Sequence, residues 1–174
     1  MAFHNPDVSS FEHKAQAPLS VACFVLTVSD TRTEANDTGG QAIRELLERA
    51  GHLVSGHAIV KDEASQVAAT VRERLADQAT QVVITTGGTG ISARDTTFEA
   101  VTALFEKRLD GFGELFRMIS FHQIGSAAMM SRATAGTVGR KAIFVLPGSP
   151  AAVRLAMEKL IVPELGHIVQ QLSK

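Results

Sequence analysis

What this chain has little of narrows its setting first. Cysteine occurs once, as Cys23, inside the apolar run Val21-Ala22-Cys23-Phe24-Val25-Leu26. A disulfide within the chain is excluded, and a thiol in such a run reads as a buried structural group rather than a nucleophile. Net charge is scarce too: 17 Lys and Arg against 18 Asp and Glu leave −1. That gives no electrostatic footprint for nucleic acid or an anionic membrane surface. No apolar stretch approaches the roughly 18 residues that a membrane-spanning helix needs, and the N-terminus has no apolar signal core. The six histidines are scattered without ligand spacing, which argues against zinc. The expectation is a cytoplasmic protein with neither nucleic acid nor membrane among its partners.

What is present is an alternation of strands and helices. At 174 residues, 45% of them hydrophobic, the chain can bury a core as one domain. Residues 21–28, 52–60, 82–86 and 141–146 read as strands, the first a continuous apolar run of the kind buried on both faces of a parallel sheet. Between the first two, a helix follows Asp37-Thr38-Gly39-Gly40 with Ala42, Ile43, Leu46, Leu47 and Ala50 on one face, and Gly51 stands where a left-handed cap belongs. Val67, Val71 and Leu75 mark another helix, with Ser65 as its N-cap. Thr96-x-x-Glu99 forms a capping box for a helix over 96–107. Ser149 caps a helix whose first position is Pro150, and Pro163 ends or kinks it. The order predicts an α/β fold: three layers, a mostly parallel sheet with right-handed crossovers, and helices on both faces. Residues 1–18 are polar and aperiodic and read as a flexible tail, leaving 19–174 as the domain. The Met- and Phe-rich stretch 110–131 suits either core packing or a subunit interface.

The candidate site lies where ligands sit in open α/β sheets, outside the carboxyl ends of the strands. The most informative stretch is Thr85-Thr86-Gly87-Gly88-Thr89-Gly90-Ile91-Ser92-Ala93-Arg94-Asp95, between a strand and a helix-like segment. Three glycines within four residues expose backbone amides, and a following helix would aim its positive end at the same spot, as chains do to hold phosphate. Three more loops leave strand ends: Ser29-Asp30-Thr31-Arg32, Lys61-Asp62-Glu63 and Pro147-Gly148-Ser149-Pro150. Each alone reads equally as turn or cap chemistry, and Arg94 equally as a charge-offsetting group or a solvated one. Their convergence favours binding. A Walker A loop is absent, since no lysine follows these glycines. Gly88-x-Gly90-x-x-Ala93 fits a dinucleotide fingerprint in form but follows the third strand instead of the first.

In combination, Val28-Ser29-Asp30, Thr85 to Gly90 with Arg94-Asp95, Gly111-Phe112-Gly113-Glu114 with Phe116-Arg117, and Leu146 to Pro150 resemble the molybdopterin-binding family. That family includes the molybdenum cofactor biosynthesis proteins B and the molybdopterin adenylyltransferases, and the resemblance covers about residues 20–170. Length and C-terminal pattern are more similar to the protein B branch. The resemblance implies a Rossmann-like domain that binds molybdopterin and, in active members, transfers AMP from Mg-ATP to its terminal phosphate. By the same resemblance Gly87, Gly88, Thr89 and Gly90, with Thr86 at their head, cradle phosphate. Asp62 and Asp95 act with Mg²⁺ as catalytic residues. Ser29 and Asp30 line the pocket, Glu114 and Ser120 approach the pterin, and Pro147, Gly148 and Ser149 serve the nucleotide. It further implies a homotrimer or hexamer and contact with other cofactor-biosynthesis proteins. The competing expectation is a molybdopterin carrier that does not turn over ATP.

Overall fold

A computed structural model describes residues 17–174, and the expected flexible tail falls almost wholly outside them. Six strands form one sheet in the order β2-β1-β3-β6-β5-β4: β1 Ala22–Val28, β2 Leu53–Val60, β3 Val82–Thr86, β4 Lys107–Arg108, β5 Thr134–Val138 and β6 Lys141–Leu146. The first four in that order are mutually parallel, while β5 and β4 run antiparallel at one end. Helices α1 Thr38–Arg49, α2 Ala64–Ala76, α3 Thr97–Thr102, α4 Asp110–Ile124, α5 Pro150–Ala156 and α6 Val162–Ser173 complete it, with a 3₁₀ turn at Gly125–Met130.

The period of two along the strands divides the core into two layers. Cys23, Val25, Val82, Ile84, Phe144 and Leu146 face α1 and the C-terminal helices. Phe24, Leu26, Val28, Val83, Ile143 and Val145 face α2 and α3. The three-layer α/β architecture is therefore as the sequence implied. Gly51, at φ +83°, closes α1: its amide reaches Glu48 O at 3.0 Å and the His52 amide reaches Leu47 O at 2.9 Å, a Schellman motif.

Several local expectations differ. Ser65 lies inside α2, whose N-cap position is Glu63, with no side-chain capping bond. The helix expected over 96–107 stops at Thr102, because the chain is drawn into pairing with the antiparallel strands: the Glu106 amide bonds Thr137 O at 2.9 Å. The capping box does not form, for reasons that belong to the site below. Ser149 occupies the N-cap position of α5 without a side-chain capping bond. Pro163 neither ends nor sharply breaks the last helix. A π-helical stretch, Met157–Ile161, precedes it, with the Val162 amide reaching back to Met157 O, so the wide turn absorbs the missing proline N–H. Strands β4 and β5 were not anticipated; Thr-Ala-Gly-Thr-Val carries too little apolar periodicity to announce itself.

Candidate functional site

The glycine–threonine loop begins where β3 ends. Thr86 Oγ1 donates to Pro147 O at 2.9 Å and the Gly87 amide to Leu146 O at 3.1 Å, tying this loop to the Pro147–Pro150 loop. Gly87 and Gly88 have φ of +96° and +63°. A Cβ at Gly87 would fall 2.1 Å from Val28 O, and one at Gly88 would fall 2.1 Å from Thr97 Oγ1 and 2.4 Å from Asp62 Oδ2. Both conformation and space therefore demand glycine. Among the described residues, the backbone amides of Gly88, Thr89, Gly90 and Ile91 have no protein acceptor. Consecutive free donors of this kind are the chemistry that backbone anion sites use.

The helix expected to aim its positive end at this loop, α3, is short. It has only six residues; its N-cap amide, Thr96 N, bonds Asp62 Oδ1 at 3.1 Å and its first helical amide, Thr97 N, bonds Gly88 O at 3.0 Å. The acceptor-less amides from Gly88 to Ile91 belong to the loop itself.

The two aspartates sit differently. Asp62 is buried behind Gly88, and its Oδ1 accepts from Thr96 N, from Thr96 Oγ1 at 2.8 Å and from Thr97 Oγ1 at 3.5 Å. It caps α3 from another segment, which is why the Thr96–Glu99 box is not made. Its Oδ2 abuts Gly88 and carries no hydrogen bond. Asp95 Oδ2 accepts from Ser92 N at 3.2 Å, and Asp95 lines the main cavity. Asp30 turns to a different task. Both its oxygens accept from Arg94, at 2.9 and 3.0 Å, and Oδ1 also accepts the Asp62 amide at 3.2 Å. The Arg94 guanidinium holds the Asp30 carboxyl below its ordinary range. Arg94 also bonds Glu63 at 2.9 Å, so its charge is shared between two carboxylates.

Two cavities meet at the loop. One, of about 460 Å³, gathers Gly88, Thr89, Gly90, Asp95, Ser120, Pro147, Gly148 and Ser149, with an apolar wall from Phe116, Ile124 and Met130. The other, of about 300 Å³, gathers Ser29, Thr86 and Gly87. They share Gly88 and Gly148. At this pinch a Cβ on Gly148 would stand 3.3 Å from Gly87 Cα. Glu114 is not brought in; it lines a separate cavity of about 340 Å³ with Arg108 and Arg117.

Sequence reading missed two contributors, Arg132 and Asp37, and named Arg32 only as part of the loop after β1. Arg132 bonds Thr89 O at 2.9 Å and Gly90 O at 2.6 Å from beyond α4. Arg32 lines the smaller cavity. Buried Asp37, in that same wall, accepts from Gly40 N at 3.0 Å and Thr27 Oγ1 at 2.7 Å, and its Oδ2 lies 3.0 Å from His57 Nε2. Asp37 had a signal, as an acid before a glycine pair at a helix start. Arg132 had none, being far in sequence from the loop it holds.

A family model described as a probable molybdopterin binding domain matches residues 24–167. The chain belongs to this family. It is 54% identical over 168 residues to a molybdenum cofactor biosynthesis protein B of Bacillus cereus, covering 96% of this chain and 99% of that one. Its fold is similar to a crystal structure of molybdenum cofactor biosynthesis protein B, with TM-score 0.88 and 55% identity over 91% of this chain and 99% of that one. It is also similar to the tungsten cofactor synthesizing protein MoaB from Pyrococcus furiosus, with TM-score 0.80 and 37% identity over 91% and 100%. This places the chain with the protein B members of molybdenum cofactor biosynthesis. Among the described residues no helix is long and apolar enough to cross a membrane.

Proposed function

We propose that this member of the family binds molybdopterin and transfers AMP from Mg-ATP onto its terminal phosphate. An oxygen of that phosphate attacks the α-phosphorus of ATP. A new P–O–P bond forms as the bond from the α-phosphorus to the β-bridging oxygen breaks, and pyrophosphate leaves with the electron pair. The observation that carries the reading is the run of four acceptor-less amides from Gly88 to Ile91, which starts at Gly88, where two cavities meet, and continues with Thr89 and Gly90 along the larger one. A ligand with two head groups joined through phosphates suits that shape, and free amides stabilise charge that builds on phosphoryl oxygens. Thr89, Pro147, Gly148 and Ser149 border the larger cavity, and Ser29 and Thr86 the smaller.

Mg²⁺, when bound, would neutralise phosphate charge and orient the leaving group. Asp95, which lines the larger cavity, keeps one oxygen without a hydrogen bond, which fits an ion that takes one or two carboxylates and completes its shell with phosphates and water; Asp62 Oδ2 is also unbonded but lies buried behind Gly88. Among the described residues no group of three or more His, Cys, Asp and Glu could hold a metal ion.

A carrier without turnover is the second reading, favoured by the commitment of Asp62 Oδ1 to capping α3. The deciding experiment is pyrophosphate release from Mg-ATP in the presence of molybdopterin. Stoichiometric release with an adenylylated pterin is expected; pterin binding with no release leaves the carrier reading standing. We also infer a homotrimer or hexamer built on the exposed face of α4 and the following turn, where Met118, Phe121, Ile124 and Met129 are all more than half exposed. A monomer in sedimentation would remove that proposal.

A further inference from the structure

We propose that Arg132 is the positioning residue of the anion-binding loop: its guanidinium fixes the Thr89–Gly90–Ile91 peptides so that their amides stand free for the oxygens of a phosphate chain. Only the identity of the anion rests on the AMP-transfer reading.

Arg132 Nε donates to Thr89 O at 2.9 Å and Nη2 to Gly90 O at 2.6 Å. Nη1 meets the Glu99 carboxylate, and the guanidinium carbon stands 4.8 Å from the centroid of the Phe98 ring. The plane of the fork is thus held from two sides by α3, while its remaining edge grips two successive carbonyls. No cis peptide bond occurs among the described residues. In a trans peptide the C=O and N–H point in opposite directions. The peptide whose carbonyl is Thr89 O carries the Gly90 amide, and the next carries the Ile91 amide. Turning both carbonyls onto Arg132 therefore turns both amides away from it, and neither has a protein acceptor.

The loop needs such a clamp. Gly90 has no side chain to restrict its peptides, and a glycine peptide flips easily. A flipped Thr89–Gly90 unit would present a carbonyl to an incoming phosphate. Glu99 balances the arginine charge: burial is the largest single influence and works against its ionisation, but the bond to Arg132, a backbone hydrogen bond and the arginine charge together lower its pKa. With its charge so paired, Arg132 acts through its fork geometry. Lysine offers a point charge and no fork, so the charge-keeping substitution does not restore the function.

The test uses inorganic pyrophosphate as the probe. Its affinity is measured by calorimetry, and the amide signals of Gly88 to Ile91 are followed by ¹H–¹⁵N spectroscopy, in the full-length chain and in R132K, R132Q and E99Q. In the wild-type chain the four amide signals shift on adding pyrophosphate. R132K and R132Q each weaken binding about tenfold, the order expected for losing charge-assisted amide contacts, and the Gly90 and Ile91 responses shrink. E99Q keeps both carbonyl bonds and stays within about twofold. R132K binding like the wild type would mean that Arg132 contributes charge alone, which overturns the proposal. A merely structural role lowers the melting temperature and leaves affinity and amide responses of the folded protein unchanged, which also overturns it. Should R132Q fail to fold, R132K against E99Q decides. A wild-type chain that shows the amide shifts but releases no pyrophosphate from ATP loses the transfer reading and keeps this one. Amides that ignore pyrophosphate remove this one whatever the turnover.

Discussion

The parallel part of the sheet and its antiparallel end build the same site by different means. Strands β1, β3 and β6 are short apolar runs covered on both faces, with the half-buried β2 at their edge, and their carboxyl ends release loops that contribute mainly backbone amides and hydroxyls. At the other end β4 has two exposed residues and α4 covers the sheet from one side. Its inward face, with Gly113, Phe116 and Ser120, is buried. Phe112 packs edge-on against Phe144 with centroids 5.2 Å apart. Its outward face leaves Leu115, Met118, Phe121 and Ile124 exposed. The parallel half is a rigid template for the cradle; the antiparallel end supplies Ser120, the apolar wall and the Arg132 clamp. A binding surface can thus have its amides built by one half of a sheet and oriented by the other.

The sharpest way to break this division is to unseat the antiparallel end. Phe116→Ala removes a fully buried ring that lines the larger cavity. It should cost about 3–5 kcal/mol, as such core truncations do, with roughly 2–4 °C lost in Tm per kcal/mol for a chain of this size. A loss under about 1 kcal/mol in urea titration would show that α4 is anchored some other way.

Next in size is the contrast between the aspartates. Asp62→Ala leaves Thr96 N and the Thr96 and Thr97 hydroxyls without their acceptor and should cost about 1.5–3 kcal/mol. Asp95→Ala gives up one exposed bond to Ser92 N and should stay within about 1 kcal/mol. Both should lower AMP transfer by more than they weaken pterin binding. Equal melting temperatures for the two variants would contradict the buried capping role of Asp62.

A smaller effect concerns acid. Arg94 holds the Asp30 carboxyl below the usual value of 3.8. The folded-state pKa is depressed, so the pair's stabilisation is present above that unfolded value and is lost as pH falls through the lowered one. Asp30→Asn should flatten the acid limb of a stability-against-pH curve while changing little near neutrality, since the pair is exposed. An unchanged acid limb would remove the ion pair from the account.

The smallest expected effect is none. Burial pushes the Cys23 thiol up to about 12, so at pH 8 a thiol reagent should not react with the native protein and should titrate one thiol after unfolding. Fast labelling of the folded chain would mean that β1 opens readily.

Much of the parallel half was legible in the sequence because its signals are local. The run 21–28 announces a doubly covered strand by composition, Gly51 its helix end, and Gly87-Gly88 a turn that only glycine can make. The cradle and most of its neighbours in the two cavities followed from knowing which strand ends face the same way. The antiparallel end was less legible. Thr134–Val138 has no clear period, and whether α4 turned Phe116 or Phe121 inward depended on which face met Phe144. Thr96 and Glu99 had the spacing of a capping box, but stronger partners elsewhere, Asp62 and Arg132, claimed both side chains.

By itself the sequence determined the α/β class, the layered core and the place of the glycine-rich loop. These depend on periodicity and on backbone conformations that one or two residues dictate. Only the tertiary structure decided which polar groups partner one another: that Asp62 holds α3, that Arg94 is shared by Asp30 and Glu63, and that Arg132 turns the loop's carbonyls aside. Such pairings join residues about 30 to 60 positions apart. Their energies depend on distance and burial in space, for which order along the chain leaves no trace.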